Sequence, residues 1–406
     1  MILLNDVLIL TVAYMKEKSF IVYHSISIQF YFSMISKELF KPILNWPKDS
    51  KLPLCVACDV GGSGTYVRLS SFFDESQYID LPKLKTQKAS DLISALNTVS
   101  KELKSVAPTI ECRGSSLSVA GPITEDTVVF TNWPGQYSNR TLSLSELPTD
   151  LFPKNRSKFL NDTESIAYGI LAVNRLGTLD KYFEKLFSET SPDGPPVNDR
   201  RTAVVSVGTG LGCSLIVKTP LFNRKIVVPT ELGHLELPIV GHRNANYQFE
   251  RELVQHISNH WYEGELAIEF EDITSGKGLC NVYQFLVKKA TGKVIPTETL
   301  DGAQIAQMAA EKEPLAYKAL VIFNQMVIRA AKTISTTMNC DSVILASDNQ
   351  ADNYHIIKDN YSLMKNEFYS FIRPNWLNTI TVFTQTKRMN FNLFGTSHIA
   401  HQLSKK

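Results

Sequence analysis

The chain runs one course of apolar and polar positions twice. "LCVACDVGGSGTYVRLSSF" (54–72) and "TAVVSVGTGLGCSLIVK" (202–218) are each an apolar run, a turn of glycine with serine or threonine, and a second apolar run. Both patterns predict a β-hairpin, because strand-like runs bounded by glycine turns fold back on themselves. Strand and helix signals alternate around them. "GSSLSVAGPI" (114–123) and "SKFLND" (157–162) read as strands, and "TESIAYGILAVNRL" (163–176) carries apolar residues at 166, 167, 170 and 171, one face of a helix. After the second hairpin, 247–261 and 314–338 read as helices, "DSVILAS" (341–347) and "NTITVF" (378–383) as strands, and 390–404 as a closing helix. "ETSPDGPPVNDRR" (189–201), rich in Pro, Gly and Asp, predicts a linker or insertion. Mixed α/β signals, in two halves each opened by the same hairpin, predict a duplicated two-domain fold with a central cleft.

Residues 1–33 are apolar and aromatic but are broken by Asn5, Asp6 and Lys16-Glu17-Lys18, so no run reaches the roughly 18 residues of a membrane span. Neither a basic start nor a small-residue cleavage site of a signal peptide is clear there. Residues 1–37 are therefore expected to be an extension without functional motifs, Met34 being an alternative start. The C-terminal "LSKK" is not the peroxisomal Ser-Lys-Leu, and the cytoplasm is the expected compartment.

Composition narrows the partners. With a formal net charge of +2 over 406 residues and no basic run, nothing points to nucleic acid or an anionic membrane, and small molecules are the expected ligands. The six cysteines (Cys55, Cys58, Cys112, Cys213, Cys280 and Cys340) are scattered through mostly apolar stretches, as reduced core thiols are. Cys55 and Cys58 have CxxC spacing, but "LPLCVACDV" reads as a buried strand and no second pair of ligands stands at matching distance.

The glycine turns are candidate phosphate sites. Glycine permits positive φ and close approach of a ligand to backbone N–H groups, and Ser63, Thr65 and Thr209 add hydroxyls. Hairpins that need glycine for geometry alone would look the same. Gly208, Gly210 and Gly212 are spaced GxGxG and are followed by a strand, which disfavours a dinucleotide fold, and no Walker or protein-kinase motif is present. At the end of "SKFLND", Asp162 stands where a strand meets a helix. It is either a helix N-cap or a carboxylate presented to a ligand, and the bare residue leaves both open.

In order along the chain stand Asp59-Val60-Gly61-Gly62, Val119-Ala120-Gly121-Pro122, Thr131-Asn132, Leu160-Asn161-Asp162, Gly208-Thr209-Gly210-Leu211-Gly212, Glu231-Leu232-Gly233-His234 and Glu271 to Ser275-Gly276. This series resembles bacterial-type glucokinases, including the kinetoplastid and protist branch, over roughly residues 38 to 403. The resemblance implies the actin, hexokinase and Hsp70 superfamily: a duplicated actin-like ATPase fold, ribonuclease H-like in each half. It implies a smaller domain of residues 38–172 with 387–406 and a larger one of 173–386. The cysteine-rich zinc motif of the ROK branch is absent.

The same resemblance implies an ATP-dependent kinase that phosphorylates the 6-hydroxyl of glucose as the first step of glycolysis. Asp162 would be the general base and would also touch the sugar. Asn132, Asn161, Glu231, His234 and Glu271 would hold sugar hydroxyls, and His234 could instead be a satisfied histidine without a ligand role. Gly61, Gly62, Ser63, Thr65, Gly208, Thr209 and Gly210 would cradle the phosphates of ATP. Ser347 and Asp348 would serve the adenosine, and Asp59 would hold Mg²⁺ through water. A homodimer is compatible with it.

Two departures stand out. The family pattern Asp-x-Gly-Gly-Thr-x-x-Arg becomes "DVGGSGTYVR", which puts Arg68 two residues late and shifts the phosphate role to Ser63 or Thr65. A Gly-Gly adenosine loop is replaced by "VILASDNQADN". A kinase for another hexose or an amino sugar is the alternative within the fold. A non-catalytic sugar sensor is the other, and an intact Asp162 speaks against it.

Overall fold

The structure is a computed structural model that describes residues 35–188, 195–197, 200–219, 224–296 and 299–405. Residues 1–34, and much of the expected linker at 189–201, lie outside the described residues. The chain divides into two compact units: one runs to Phe159 and is taken up again from Ile399, and the other is Leu160–His398.

In the first unit, β1 (Leu52–Gly61) pairs antiparallel with β2 (Gly64–Ser71) and parallel with β4 (Ile110–Val119), while β2 pairs with the short β3 (Tyr78–Asp80). β1 is buried along almost its whole length, as a central strand covered on both faces must be. Strands β5 (Ile123–Thr124), β6 (Thr127–Val129) and β7 (Thr141–Ser143) form a small separate sheet. β8 (Ser157–Asn161) completes the main sheet in the order β3-β2-β1-β4-β8, and within it the chain passes to the second unit. Helix α1 (Ala89–Val106), not read from the sequence, buries Leu92, Leu96, Val99 and Leu103, an i, i+4, i+7, i+11 stripe.

The second unit repeats the plan. β9 (Phe183–Phe187), β10 (Arg201–Val207), β11 (Leu211–Thr219), β12 (Arg224–Thr230), β13 (Ser342–Leu345) and β14 (Thr381–Gln385) form a sheet in the order β12-β11-β10-β13-β14-β9. Again the first two strands make an antiparallel hairpin, the third adds outside the second, and the next strand runs parallel to the first. The duplicated mixed α/β fold is therefore present, with β9 as an added edge.

The helices that matter below are α2 (Asp162–Arg175), α3 (Tyr247–Trp261), α4 (Gly276–Thr291), α5 (Pro314–Thr337) and α6 (Phe391–Ser404). α5 is buried on most of its surface, including Ala319, Leu320, Phe323, Met326, Val327, Ala330 and Ile334, and forms the spine of the larger apolar core. Among the described residues no helix is long and apolar enough to cross a membrane.

All six cysteines are buried. Cys55 and Cys58 lie three apart on β1 and so point to opposite faces of the sheet, which explains why their CxxC spacing makes no paired site. Burial pushes the Cys55 thiol up to about 12, so it stays protonated at neutral pH.

Candidate active site

β8 delivers Asn161 at its last position and α2 starts at Asp162. Either residue type caps helices well, but the cap is Asn161. Its backbone is extended (φ −60°, ψ 148°) and its Oδ1 accepts the N–H of Thr163 at 2.9 Å and the Thr163 hydroxyl at 2.8 Å. Asp162 is the first helical residue. It is half-buried, its Oδ1 also accepts the Thr163 N–H at 2.8 Å, and it lies in the favourable field of the helix start.

Thr163 ties this turn to the second glycine hairpin. Its hydroxyl lies 3.0 Å from Ser214 Oγ, and a Cβ on Gly212 would stand 1.9 Å from its methyl group, so only glycine lets β11 approach the first turn of α2. Val207 pairs with Leu211 and leaves Gly208-Thr209-Gly210 as the turn, with Thr209 exposed at the tip. The Gly208 N–H donates to Gly210 O at 2.9 Å, and the Gly276 N–H donates to Gly208 O at 3.2 Å. Ser275 caps α4 by accepting the Gly278 N–H at 2.9 Å. Glu271, expected as a sugar ligand, also fixes the hairpin, because its Oε2 accepts the Leu211 N–H at 2.9 Å.

The motif Glu231-Leu232-Gly233-His234 packs on the same hairpin. Leu232–His234 is a single 3₁₀ turn, and a Cβ on Gly233 would lie 1.6 Å from Leu211 O. Backbone cannot yield that far. Gly233→Ala is therefore expected to destabilise the second unit by at least about 2 kcal/mol and to weaken sugar binding, measured by thermal melting and calorimetric titration; an unchanged melt would show that the turn relaxes freely.

His234 Nδ1 lies 2.6 Å from Glu269 Oε2, and its Nε2 is 3.9 Å from Glu231 Oε2. The hydrogen bond to Glu269, helped by the charges of Glu269, Glu271 and Glu231 and opposed by partial burial, raises the His234 pKa above its ordinary value. Glu269 was missed in the sequence. It flanks the fully buried Phe270 opposite Glu271, a spacing that reads as a surface edge, and Glu236 bridges to it through the backbone.

In the first unit Gly61 pairs with Gly64, leaving Gly62-Ser63 as a two-residue turn. Gly64 has φ +144°, and a Cβ there would meet Leu84 O at 2.4 Å. The two candidate hydroxyls differ. Ser63 is exposed, whereas Thr65 is fully buried with its Oγ1 2.8 Å from Thr86 Oγ1. Asn132 packs across the turn, 3.2 Å from where a Gly62 Cβ would be, and Trp133 Nε1–H donates to Gly61 O at 3.2 Å. Asn132 Oδ1 is buried and has no hydrogen-bond partner among the described residues. Asp59 is half-buried on β1, three positions before the turn.

Ser347 and Asp348 follow β13. Ser347 Oγ accepts the Gln350 N–H at 3.1 Å, and the Asp348 carboxylate accepts the Met389 N–H at 3.3 Å, with burial raising its pKa. Both residues thus shape this short helical turn.

A sheet plan used twice, an exposed glycine turn on each copy and a carboxylate at a helix start define a sugar kinase of the actin-like class. The chain belongs to the glucokinase family, whose family model matches residues 56–346. It is 43% identical to Glucokinase 1 of Trichomonas vaginalis over 373 residues, covering 92% of this chain and 100% of that one. The crystal structure of a glucokinase from Balamuthia mandrillaris in complex with glucose superposes with a TM-score of 0.80 at 31% identity, covering 92% of this chain and 98% of that one. The Leishmania braziliensis glucokinase shares the fold, with a TM-score of 0.70 at 24% identity over 86% of this chain and 93% of that one.

Proposed function

We propose that the chain transfers the γ-phosphoryl group of ATP to the 6-hydroxyl of glucose, with Asp162 as the proton acceptor. The observation that carries this reading is the division of labour at the start of α2, where Asn161 caps the helix and Asp162 presents a half-buried carboxylate beside it. As the sugar oxygen bonds to the γ-phosphorus and the bond to the β,γ-bridging oxygen breaks, the hydroxyl proton passes to Asp162. The leaving ADP carries the electron pair.

The sugar hydroxyls each donate and accept, so carboxylates, amides and an imidazole suit them. They are assigned to Asn161, Glu231, His234 and Glu271, and the unpartnered Asn132 Oδ1 suits a hydroxyl donor as well. Glu271 holds the Leu211 N–H with one oxygen and is assigned a hydroxyl with the other, which couples sugar contact to the glycine turn. Phosphate oxygens are assigned to the turns Gly61-Gly62-Ser63 and Gly208-Thr209-Gly210. Thr65 is assigned a supporting part through Thr86, and the Ser347-Asp348 turn the adenosine side. Asp59 offers the hard oxygen donor that Mg²⁺ takes through water, and the ion would neutralise phosphate charge when bound. Buried free thiols fit a cytoplasmic setting.

A coupled assay of glucose with ATP, ADP and polyphosphate tests this, with mannose and glucosamine as competing acceptors. Glucose 6-phosphate formed from ATP is expected, and no turnover of any sugar with ATP would refute the proposal. Sugar choice gives a finer test. A site that hydrogen-bonds a hydroxyl rejects the analogue lacking it by about 1 to 3 kcal/mol per unpaired group. If Glu231 and His234 hold the anomeric end, 1-deoxyglucose is the poorer substrate, and Glu231→Gln narrows the gap by weakening glucose itself. Equal kcat/KM ratios in wild type, Glu231→Gln and His234→Ala would show that these residues do not read that end.

A further inference from the structure

The arginine that follows the first glycine turn, Arg68, is engaged with β3. Arg68 is 4% exposed, its Nε and a terminal nitrogen grip both oxygens of Asp80 at 2.7 and 2.8 Å, and its guanidinium lies 3.8 Å from the centre of the Tyr78 ring. That side chain is committed to holding β2 and β3 together. A different cation reaches the turn from twenty residues further on.

The segment after β3 is bolted to the start of β2. The Leu84 N–H donates to Thr65 O at 2.9 Å, the Thr65 N–H donates back to Leu84 O at 2.8 Å, and the buried Thr65 and Thr86 hydroxyls pair beneath them. Gly64 has no side chain to obstruct this; a Cβ there would collide with Leu84 O and press to 3.0 Å from Lys83 Cε. Lys83 is thereby laid across the turn. Its Nζ donates to Ser63 Oγ at 2.7 Å and lies 5.2 Å from the centre of the Tyr66 ring, while the side chain stays exposed. An ammonium has three donors, and a compact point charge of this kind suits phosphate.

We propose that Lys83 supplies the positive charge of the first glycine hairpin and that its ammonium binds a phosphate oxygen of the nucleotide donor. The proposal rests on the kinase reading above. Arg68 acts as a structural clamp, and Ser63 positions the ammonium before the nucleotide arrives.

The test compares the full chain with Lys83→Met, Lys83→Arg and Arg68→Met by calorimetric binding of MgATP and of adenosine, together with melting temperature. In Lys83→Met the Kd for MgATP is expected to rise about tenfold to a hundredfold, since a charge-assisted hydrogen bond is lost. Adenosine binding and the melt should stay unchanged. Lys83→Arg should restore MgATP binding to within about threefold, since the charge is kept. Arg68→Met should lower the melting temperature while the folded protein keeps its MgATP affinity. Wild-type affinity for MgATP in Lys83→Met would overturn the role of the lysine, whatever the sugar kinetics. A chain that binds MgATP through Lys83 but never phosphorylates glucose would overturn the kinase reading and leave the lysine in place. No binding of MgATP by the wild type would overturn both.

Discussion

Asp162→Asn is expected to lower kcat by at least about a hundredfold, within the roughly 10² to 10⁴ that a general base contributes, while the Kd for glucose moves little. The substitution is nearly isosteric, and the helix start does not depend on the lost charge. Asn161 keeps the cap on Thr163, and an asparagine at 162 still offers an Oδ1 to the same N–H. The lost interaction with the helix field is worth only about 0.3 to 1 kcal/mol. What asparagine cannot do is accept a proton. Turnover in a coupled assay and glucose binding by calorimetry separate the two effects, and a kcat within about threefold of wild type would remove Asp162 from the chemistry.

Both glycine hairpins were readable in the sequence, because strand-like runs and turn residues are local signals and the turns fall where the glycines stand. Which of two adjacent good capping residues would cap was not, since that depends on the backbone angles at the strand end. Thr65 and Ser63 looked equivalent, and only the pairing of residue 65 with Leu84 turns one hydroxyl inward. Glu271 was readable as a carboxylate of the site, but its hold on a backbone N–H sixty residues earlier is a tertiary fact. Glu269 had no local signal, because its task is to orient His234 from another segment. Arg68 was seen to be out of place, and its engagement with Asp80 and Tyr78 says what it does instead.

Arg329 on α5 carries the largest expected effect on stability. It is 3% exposed, and its guanidinium meets Glu250 of α3 at 2.8 Å through two nitrogens, Glu367 at 2.7 and 3.1 Å, and Pro238 O at 3.0 Å. Burial alone would raise the Glu367 carboxyl, but the hydrogen bond and charge of Arg329, with Gln325 and Lys332 beside it, outweigh that and hold its pKa below the ordinary value. Glu250 also accepts the Val240 N–H at 3.0 Å, so the cluster braces the segment that leads away from His234. Arg329→Met keeps the bulk but removes the guanidinium that both buried carboxylates share, leaving Lys332 at 3.5 Å from Glu367. Breaking a buried pair in this way costs about 3 to 5 kcal/mol, which corresponds to a melting temperature lower by roughly 10 °C for a unit of this size.

The sign of the pH dependence follows from the direction of the shift. In the wild type the lowered Glu367 pKa stabilises above the unfolded-state pKa, and that stability is lost as the pH falls through the folded value. Without Arg329 only Gln325 and Lys332 oppose the burial of the Glu367 carboxyl, so its folded pKa rises and the variant loses less stability than the wild type as the pH drops. The gap between the two proteins is therefore expected to be widest near neutral pH and to narrow towards the carboxylate range. The triple variant Arg329→Met, Glu250→Leu, Glu367→Leu should regain part of the loss, since it strands no carboxylate, while Lys332 loses its ion pair with Glu367. Melting curves of all three proteins across this pH range decide it; a single variant within about 1 kcal/mol of wild type at neutral pH, or a gap that widens on acidification, would show that water rather than Arg329 satisfies the two glutamates.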